Sequence, residues 1–259
     1  MKVLFLGNSH TYYNDLPALF RHICAQCGKE VEVGMLAQPG VTYKWHLTNG
    51  TDFRFALVHG GYDYIIMQQA AHEPCPDGEE TLAGAREIGE CALKCGITPI
   101  QTVPWAQLNT VGEQERMYEI YNRVCAETGI KENPVGRVFE YINKTRPDIR
   151  LHWFDGAHAS PYGSYANALC TYMTIFDGAD ISAVDNTSFE TNPGSQEAFD
   201  RIGELEILQK SEPENVEIAA EIEELRKMFK IVWNVDELKV KLDPEKAEYI
   251  KSAVKHMFT

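Results

Sequence analysis

Apolar runs and amphipathic stretches alternate along the first 180 residues of the chain. The short apolar runs are bounded by glycine, proline or polar residues and predict buried β-strands. The stretches between them repeat apolar residues at the spacing of an α-helix, which predicts helices that pack on a sheet. The predicted strands are Val3–Leu6, Val31–Leu36, Tyr64–Met67, Ile97–Val103 and a fifth at either Val135–Val138 or Arg150–Trp153, and the predicted helices between them are Leu16–Cys27, Glu79–Lys94 and Gly112–Glu127.

This alternation predicts the fold class. Strands that alternate with helices build a parallel sheet with helices on both faces, and right-handed crossovers restrict the order of the strands. We therefore expect a three-layer α/β/α, flavodoxin-like fold with a parallel five-stranded sheet in the order 2-1-3-4-5. Strand 1 then lies between strands 2 and 3, so the residues that follow these three strands meet at one edge. Open α/β sheets bind their ligands at that edge.

A candidate nucleophile stands directly behind the first strand. The segment Gly7–Thr11 reads Gly-Asn-Ser-His-Thr and separates the strand from a helical pattern. A serine in such a turn is lifted to the sheet edge, and its own N–H is free to bind an oxyanion. The other interpretation is that Ser9 only caps a helix, because this composition is also typical of ordinary turns.

A candidate base lies near the far end of the same domain. Asp155 precedes His158 by three residues, which suits a short loop in which the carboxylate reaches back to the imidazole. Such a carboxylate fixes the tautomer of the ring and stabilises the imidazolium. Pro161 suits a helix start and would hold the loop against a rigid element. The alternative is that both residues are ordinary loop residues.

The serine near the start and the Asp and His near the end resemble the triad of the SGNH (GDSL-type) hydrolase superfamily. Residues 3–17, VLFLGNSHTYYNDLP, are similar to the first sequence block of its bacterial branch, which reads Gly-Asn-Ser rather than Gly-Asp-Ser. This resemblance implies a serine esterase in which Ser9 is the nucleophile. Asp155 and His158 would complete the catalytic triad.

The same resemblance implies two further donors to an oxyanion hole. The second block of the family is a glycine after the second strand, a role that falls on Gly40. The third block normally contributes an asparagine, and this sequence departs from it, because Gln68 and Gln69 follow the third strand. A glutamine amide can still donate a hydrogen bond, and some carbohydrate esterases of the superfamily use one. We expect Gln68 to take this role, with Gln69 as the alternative.

The composition changes near residue 185, where turn-rich sequence ends the alternation and helical stretches follow. The last helix resembles the one that closes SGNH domains. We therefore predict an α/β domain at residues 1–184, a helical insertion at 185–238 and a closing helix of the same domain at 239–259. The insertion is either a lid, a dimer surface or an additional layer on the core. Its helices are predicted at Glu197–Gln209 and Glu214–Trp233, and the closing helix is predicted at Pro244–Phe258.

The predicted reaction is hydrolysis of a small acyl ester, with acetyl as the expected group, on a polar metabolite or carbohydrate. Candidate substrate contacts are Trp105, His72 and Tyr12, each of which could instead be a packing or solvent-exposed residue. One alternative is a metal-dependent hydrolase that uses His10, His72, Asp155 and His158, although no metal-binding spacing supports it. Another is a catalytically degenerate, SGNH-like binding protein.

The net charge and the cysteine content limit the partners and the cellular compartment that we expect for this protein. A net charge of −14 argues against nucleic acid as a partner, because phosphate binding needs clustered Lys and Arg. No apolar run approaches the roughly 20 residues that cross a bilayer. The seven cysteines are an odd number, which favours a reducing compartment. We therefore expect a cytoplasmic protein that needs no cofactor or metal, binds neither nucleic acid nor membrane, acts on a small-molecule ester and can form a homodimer.

Overall fold

A five-stranded parallel sheet in the order β2-β1-β3-β4-β5 forms the centre of the protein, which confirms the predicted fold class and strand order. The computed structural model describes residues 1–49, 51–70, 78–110, 112–153, 155–186, 190–191, 196–230 and 240–258. The strands of the sheet are β1 (Lys2–Gly7), β2 (Glu32–Ala37), β3 (Tyr64–Met67), β4 (Thr98–Thr102) and β5 (Lys131–Asn133).

Helices cover both faces of this sheet, because the side chains of each strand alternate between two cores. Val3 and Phe5 of β1 belong to one core, whereas Leu4 and Leu6 belong to the other. The helices of the α/β domain are α1 (Ser9–Tyr12), α2 (Leu16–Gln26), α3 (Tyr43–Asn49), α4 (Thr51–His59), α5 (Gly78–Lys94), α6 (Glu113–Thr128), α7 (Val135–Thr145) and α8 (Pro161–Ile175), with a 3-10 turn at Tyr13–Asp15.

Helix α8 is the most deeply buried helix of the α/β domain. Every residue of it except Tyr162 is buried. Its start is fixed by Ser160, whose hydroxyl accepts a hydrogen bond from the Gly163 N–H at 3.2 Å. This capping satisfies one of the backbone donors that a helix leaves free at its N-terminus. Because α8 packs against α2 and α7, the loop that precedes it is held between fixed elements.

The prediction for the fifth strand was wrong. Both predicted segments lie elsewhere: Val135–Val138 forms the start of α7, and residues 150–153 contribute only an isolated bridge between His152 and Ala159. The observed β5 spans the three residues Lys131–Asn133. Its sequence is polar because it is short and lies at the sheet edge, so apolar periodicity does not reveal it.

The segment after residue 185 contains a two-stranded antiparallel ribbon and two helices that pack on each other. The helices share a small apolar cluster, in which Ile202, Leu205 and Ile222 are buried. The predicted helical insertion therefore has helices where they were expected, while the domain boundaries stay a prediction. The elements are β6 (Glu190–Thr191), α9 (Gln196–Ser211), α10 (Val216–Lys230), β7 (Val240–Lys241) and the last helix α11 (Pro244–His256), which packs against α8 and α7.

Among the helices in the described ranges, none combines the length and apolar character that crossing a membrane requires.

Candidate active site

Ser9 is the first residue of α1, and the side chain of Asn8 holds it there. Asn8 Oδ1 accepts a hydrogen bond from the His10 N–H at 3.1 Å, so Asn8 acts as the N-cap of the helix. Its Nδ2 donates to the Val41 carbonyl at 3.1 Å. One buried amide therefore joins the turn after β1 to the loop after β2. This is the structural role that Asn side chains take in tight turns.

Gly7 allows other groups to approach the backbone closely at the end of β1. A Cβ on this residue would overlap the Thr11 hydroxyl and would lie 3.0 Å from Gln68 Oε1. The Thr11 hydroxyl donates to Gln68 Oε1 at 3.0 Å. The backbone of Gly7 thus lies against a buried hydrogen bond that joins α1 to the end of β3. His46 contacts the same residue, with its Nε2 2.8 Å from the Gly7 carbonyl oxygen.

Asp155 and His158 lie in a narrow loop before α8. Trp153 N–H donates to the His158 carbonyl at 2.7 Å, and this bond closes the base of the loop. Inside it, Asp155 Oδ1 accepts from the N–H groups of Ala157 at 2.8 Å and His158 at 3.0 Å. Asp155 Oδ2 lies 2.5 Å from His158 Nδ1. The predicted carboxylate–imidazole pair therefore has the geometry expected from its three-residue spacing.

The charge of Asp155 is strongly favoured in this loop. Burial alone raises the pKa of the carboxyl, but the hydrogen bonds from the His158 ring and from the Ala157 and His158 N–H groups outweigh it, and the pKa falls to about 2. A carboxylate that stays ionised accepts from Nδ1–H and leaves the lone pair on Nε2. The imidazole is thus held in the tautomer that can accept a proton from a hydroxyl.

The loop brings His158 to Ser9. His158 Nε2 lies 2.8 Å from Ser9 Oγ, across 149 positions of sequence. The contacts Asp155–His158–Ser9 form a continuous hydrogen-bonded series at the carboxyl edge of the sheet. A nucleophile, a base and an orienting carboxylate in this order can carry out acyl transfer.

Aromatic rings line one side of this series. The Tyr13 ring stacks on His158 at 3.8 Å between centroids, with the planes 9° apart. His10 lies 4.8 Å from His158 and 5.1 Å from Trp105. Trp105 in turn stacks on Phe139 at 4.2 Å. The sequence suggested Tyr13 as a residue that lines the pocket or packs on the first helix, but its stacking on His158 was not predicted, because the two residues are 145 positions apart and no local pattern links them.

Trp105 does not have the exposure that a substrate platform needs. Its side chain is 1% exposed, and its Nε1–H donates to the Ala157 carbonyl at 2.8 Å. Trp105 is therefore a packing residue. It supports the loop that carries Asp155 and His158, and it packs against the ring of His10. The proposed contact between Trp105 and substrate is corrected accordingly.

Tyr12 and His72 are the other two predicted substrate contacts. Tyr12 is half-buried and shares a side-chain hydrogen bond with Ser9; burial raises the pKa of its phenol, and the bond with Ser9 offsets part of that rise. Tyr12 therefore lies beside Ser9, and its contact with a substrate stays a prediction. His72 lies outside the described residues.

Asn14 connects the segment just after Ser9 to the end of the loop that carries His158. It adopts a left-handed conformation with φ of 56°, which Asn tolerates better than most residues. Its Nδ2 donates to the Ala159 carbonyl at 2.8 Å and to Ser164 Oγ at 2.7 Å. The chain just after Ser9 is thereby bonded to the residue next to His158. Sequence reasoning missed Asn14 as well, since Asn in a turn carries no sign of its distant partner.

A cavity of about 310 Å³ opens beside Ser9 and His158. Gly40 reaches this cavity, and its φ of 66° is a left-handed conformation that favours glycine. No hydrogen bond from the N–H of Ser9 or Gly40 is found within the described residues. Both N–H groups are therefore available to a ligand. The cavity is lined by Asn8, Ser9, His10, Gly40, Gln107, Ala157 and His158, of which Gln107 was not predicted.

The two glutamines after β3 differ in what their amides can do. Gln68 is engaged at both ends, since its Oε1 accepts from Thr11 and its Nε2 donates to the Gln69 carbonyl. Gln69 Oε1 accepts from the N–H groups of Tyr43 at 2.8 Å and Ala70 at 3.1 Å, which fixes the orientation of the amide. Its buried Nε2 has no partner among the residues described. The free donor therefore belongs to Gln69, whereas Gln68 was the expected residue.

The metal alternative uses His10, His72, Asp155 and His158, of which His72 lies outside the described residues. Both ring nitrogens of His158 contact side chains, Nδ1 with Asp155 and Nε2 with Ser9. Within the described part of the chain, His, Cys, Asp and Glu side chains form no group of three or more that could hold an ion.

Comparisons with solved structures agree with the fold. The chain superposes with TM-score 0.58 on a candidate SGNH hydrolase from Slackia heliotrinireducens, at 27% identity over 68% of this chain and 98% of that one. It superposes with TM-score 0.56 on a catalytic mutant of an acetylxylan esterase from Geobacillus stearothermophilus, at 14% identity over 67% and 93% of the two chains. The esterase EstA from Pseudoalteromonas sp., inhibited by monoethylphosphonate, gives 0.54 at 12% identity over 68% and 97%. No family model and no curated protein sequence matches the chain. The structural matches confirm the expected resemblance to the SGNH superfamily.

Proposed function

We propose that this chain, which has the fold of the SGNH hydrolases, is a serine esterase that removes a small acyl group from a polar metabolite or carbohydrate. The observation that carries the proposal is the hydrogen-bonded series from Asp155 through His158 to Ser9, with 2.5 Å and 2.8 Å between the partners. It opens on a cavity at the sheet edge where α/β proteins bind ligands.

The reaction proceeds by two acyl transfers. Ser9 Oγ attacks the ester carbonyl carbon while His158 Nε2 takes the hydroxyl proton, and Asp155 stabilises the resulting imidazolium. His158 then gives the proton to the leaving alcohol as the ester C–O bond breaks. Water attacks the acyl-enzyme, His158 takes its proton and returns it to Ser9 Oγ, and the carboxylic acid is released.

The negative charge on the carbonyl oxygen needs donors in both transfers. The N–H groups of Ser9 and Gly40 face no other acceptor in the described residues and border the cavity. We assign Gln69 as the third donor in place of Gln68, because the buried Nε2 of Gln69 has no hydrogen-bond partner among the described residues. In hydrolases of this kind, one such donor contributes about 10²–10³ to the rate.

The size of the cavity supports a small substrate. Its volume of about 310 Å³ lies at the lower end of the range of roughly 300–1,000 Å³ for small-molecule sites. Gln107 lies on its wall, whereas the Asn8 amide is already bonded to the His10 N–H and the Val41 carbonyl. One structural neighbour is an acetylxylan esterase, which supports an acetylated carbohydrate as the class of substrate.

The test is intact mass spectrometry after treatment with a fluorophosphonate probe, together with hydrolysis of p-nitrophenyl acetate and p-nitrophenyl octanoate. We expect one phosphonyl adduct on Ser9 and faster turnover of the acetate than of the octanoate. The Ser9→Ala variant should give no adduct and no initial burst of p-nitrophenol. Ser9→Ala should lower kcat by about 10⁴ or more and leave the melting temperature unchanged. A folded wild-type protein that gives neither adduct nor turnover would refute the esterase and leave a binding role.

A further inference from the structure

The His158 ring is held at its edge by two hydrogen bonds. Nδ1 contacts Asp155 and Nε2 contacts Ser9, and the N–H bond and the lone pair of an imidazole lie in the plane of its ring. Two such bonds define an axis through the imidazole, but they resist rotation about that axis only weakly, because hydrogen bonds tolerate moderate bending. A group packed on the face of the ring is needed to fix its plane.

Tyr13 supplies that group. Its ring lies parallel to His158 within 9° and at 3.8 Å between centroids, which is full face-to-face contact. Tyr13 is 4% exposed, so the face of the His158 ring that it covers is shielded from water. The face of a tyrosine ring also attracts a cation, and it therefore favours the imidazolium that forms when His158 holds the proton.

The backbone around Tyr13 is fixed by contacts with the base side of the site. Ser164 Oγ donates to the Tyr13 carbonyl at 3.3 Å, and the next residue, Asn14, bonds to Ala159 and Ser164. Tyr13 also follows Ser9 by only four residues. A single short segment therefore carries both the nucleophile and the ring that holds its base.

We propose that Tyr13 is a positioning residue for the esterase reaction. It fixes the plane of the His158 ring so that Nδ1 can bond to Asp155 while Nε2 bonds to Ser9. This inference rests on the proposed function, in which His158 is the base. Two other titratable groups contact His158 among the described residues: the ring of His10 and the carboxylate of Asp155.

The experiment compares Tyr13→Leu, which removes the aromatic face, with Tyr13→Phe, which keeps it and loses only the hydroxyl. Tyr118→Leu is the matched control, because Tyr118 is a buried tyrosine of α6 that contacts Glu140 rather than the site. For each protein, the rate of phosphonylation of Ser9, kcat and KM for p-nitrophenyl acetate, and the melting temperature are measured. The downfield NMR signal of the His158 Nδ1 proton is recorded as well and is assigned by its loss in Asp155→Asn.

We expect Tyr13→Leu to lower kcat and the phosphonylation rate by about 10- to 100-fold, the size of effect that a misplaced catalytic group causes, with KM nearly unchanged. Its Nδ1 proton signal should broaden or vanish. Tyr13→Phe should restore both the rate and the signal. Tyr118→Leu should lower the melting temperature and leave the rate and the signal intact.

Two other results separate the proposals. If wild type is phosphonylated and Tyr13→Leu reacts as fast with an intact proton signal, the role of Tyr13 is refuted and the esterase stands. If wild type shows no phosphonylation, the esterase fails, and the proton signal alone then decides: its persistence in Tyr13→Leu refutes a positioning role, and its loss there together with its return in Tyr13→Phe supports one.

Discussion

Replacing Asp155 by asparagine removes the charge behind His158 and keeps the size of the side chain. The asparagine oxygen can still accept from the Ala157 and His158 N–H groups, as Asp155 Oδ1 does at 2.8 and 3.0 Å. Its NH₂ group then faces His158 Nδ1. Two donors cannot share a hydrogen bond, so the ring must move its proton to Nε2. His158 in that tautomer can no longer accept the proton of Ser9.

The expected loss of activity is large. Changing the tautomer in other serine triads lowers kcat by about 10⁴, and we expect a loss of about 10³–10⁴ for Asp155→Asn. KM should change little, since Asp155 is not among the residues that line the cavity. Hydrolysis of p-nitrophenyl acetate measures both constants. A variant that retains a tenth of the wild-type kcat would refute the role given to Asp155.

The same substitution should leave a signature in the pH dependence of stability. The pKa of Asp155 is about 2 in the folded protein against 3.8 for the free side chain. A lowered pKa means that the stabilisation is complete above about pH 4 and is lost as the pH falls toward 2. A difference of nearly two pH units corresponds to about 2 kcal/mol, and partial exposure of the carboxylate reduces that figure.

Urea unfolding of wild type and Asp155→Asn between pH 2 and pH 7 tests this directly. We expect wild type to be more stable by about 1–2 kcal/mol at neutral pH, and the difference should shrink between pH 4 and pH 2. A difference that is the same at pH 2.5 and pH 6 would show that the carboxylate is not held in its charged form by the loop.

Three further substitutions test the carboxyl edge of the sheet. Gln69→Ala should lower kcat for p-nitrophenyl acetate by about 10²–10³, whereas Gln68→Ala should affect mainly the melting temperature; the reverse pattern would return the donor role to Gln68. Gly7→Ala should destabilise the protein by about 1–3 kcal/mol in urea unfolding, because its methyl group would displace the Thr11 hydroxyl from Gln68. An unchanged midpoint would contradict the close packing at that turn.

The first four strands and the pairing of Asp155 with His158 were predictable because their signals are local. The run Val3–Leu6 is fully buried, and such a run predicts a strand by itself. Asp155 and His158 are three residues apart, so their pairing depends only on one short loop. The fold then brings Ser9 to His158, because Ser9 follows β1 at the carboxyl edge of the sheet and the loop before α8 places His158 against it.

The features that were missed depend on contacts between distant segments. Tyr13 meets His158 and Asn14 meets Ala159 across about 145 residues, and no periodicity encodes such pairs. The choice between Gln68 and Gln69 depends on the partners of each amide, Thr11 and Tyr43, which only the folded chain supplies. The three-residue strand β5 was missed since its pairing with β4 defines it, not its polar sequence.

The hydrogen bonds of Asn14 have a consequence for the order of folding. They join the first β–α turn to the start of α8, with 145 and 150 positions of chain between the partners. Contacts of such long range form late, because the intervening chain must first be ordered. In refolding from urea, catalytic activity should therefore appear after the helical signal and together with the last tertiary change. Under the proposed function the nucleophile is Ser9 and the base is His158, so a chain that has been synthesised only as far as residue 157 lacks the base and cannot hydrolyse esters.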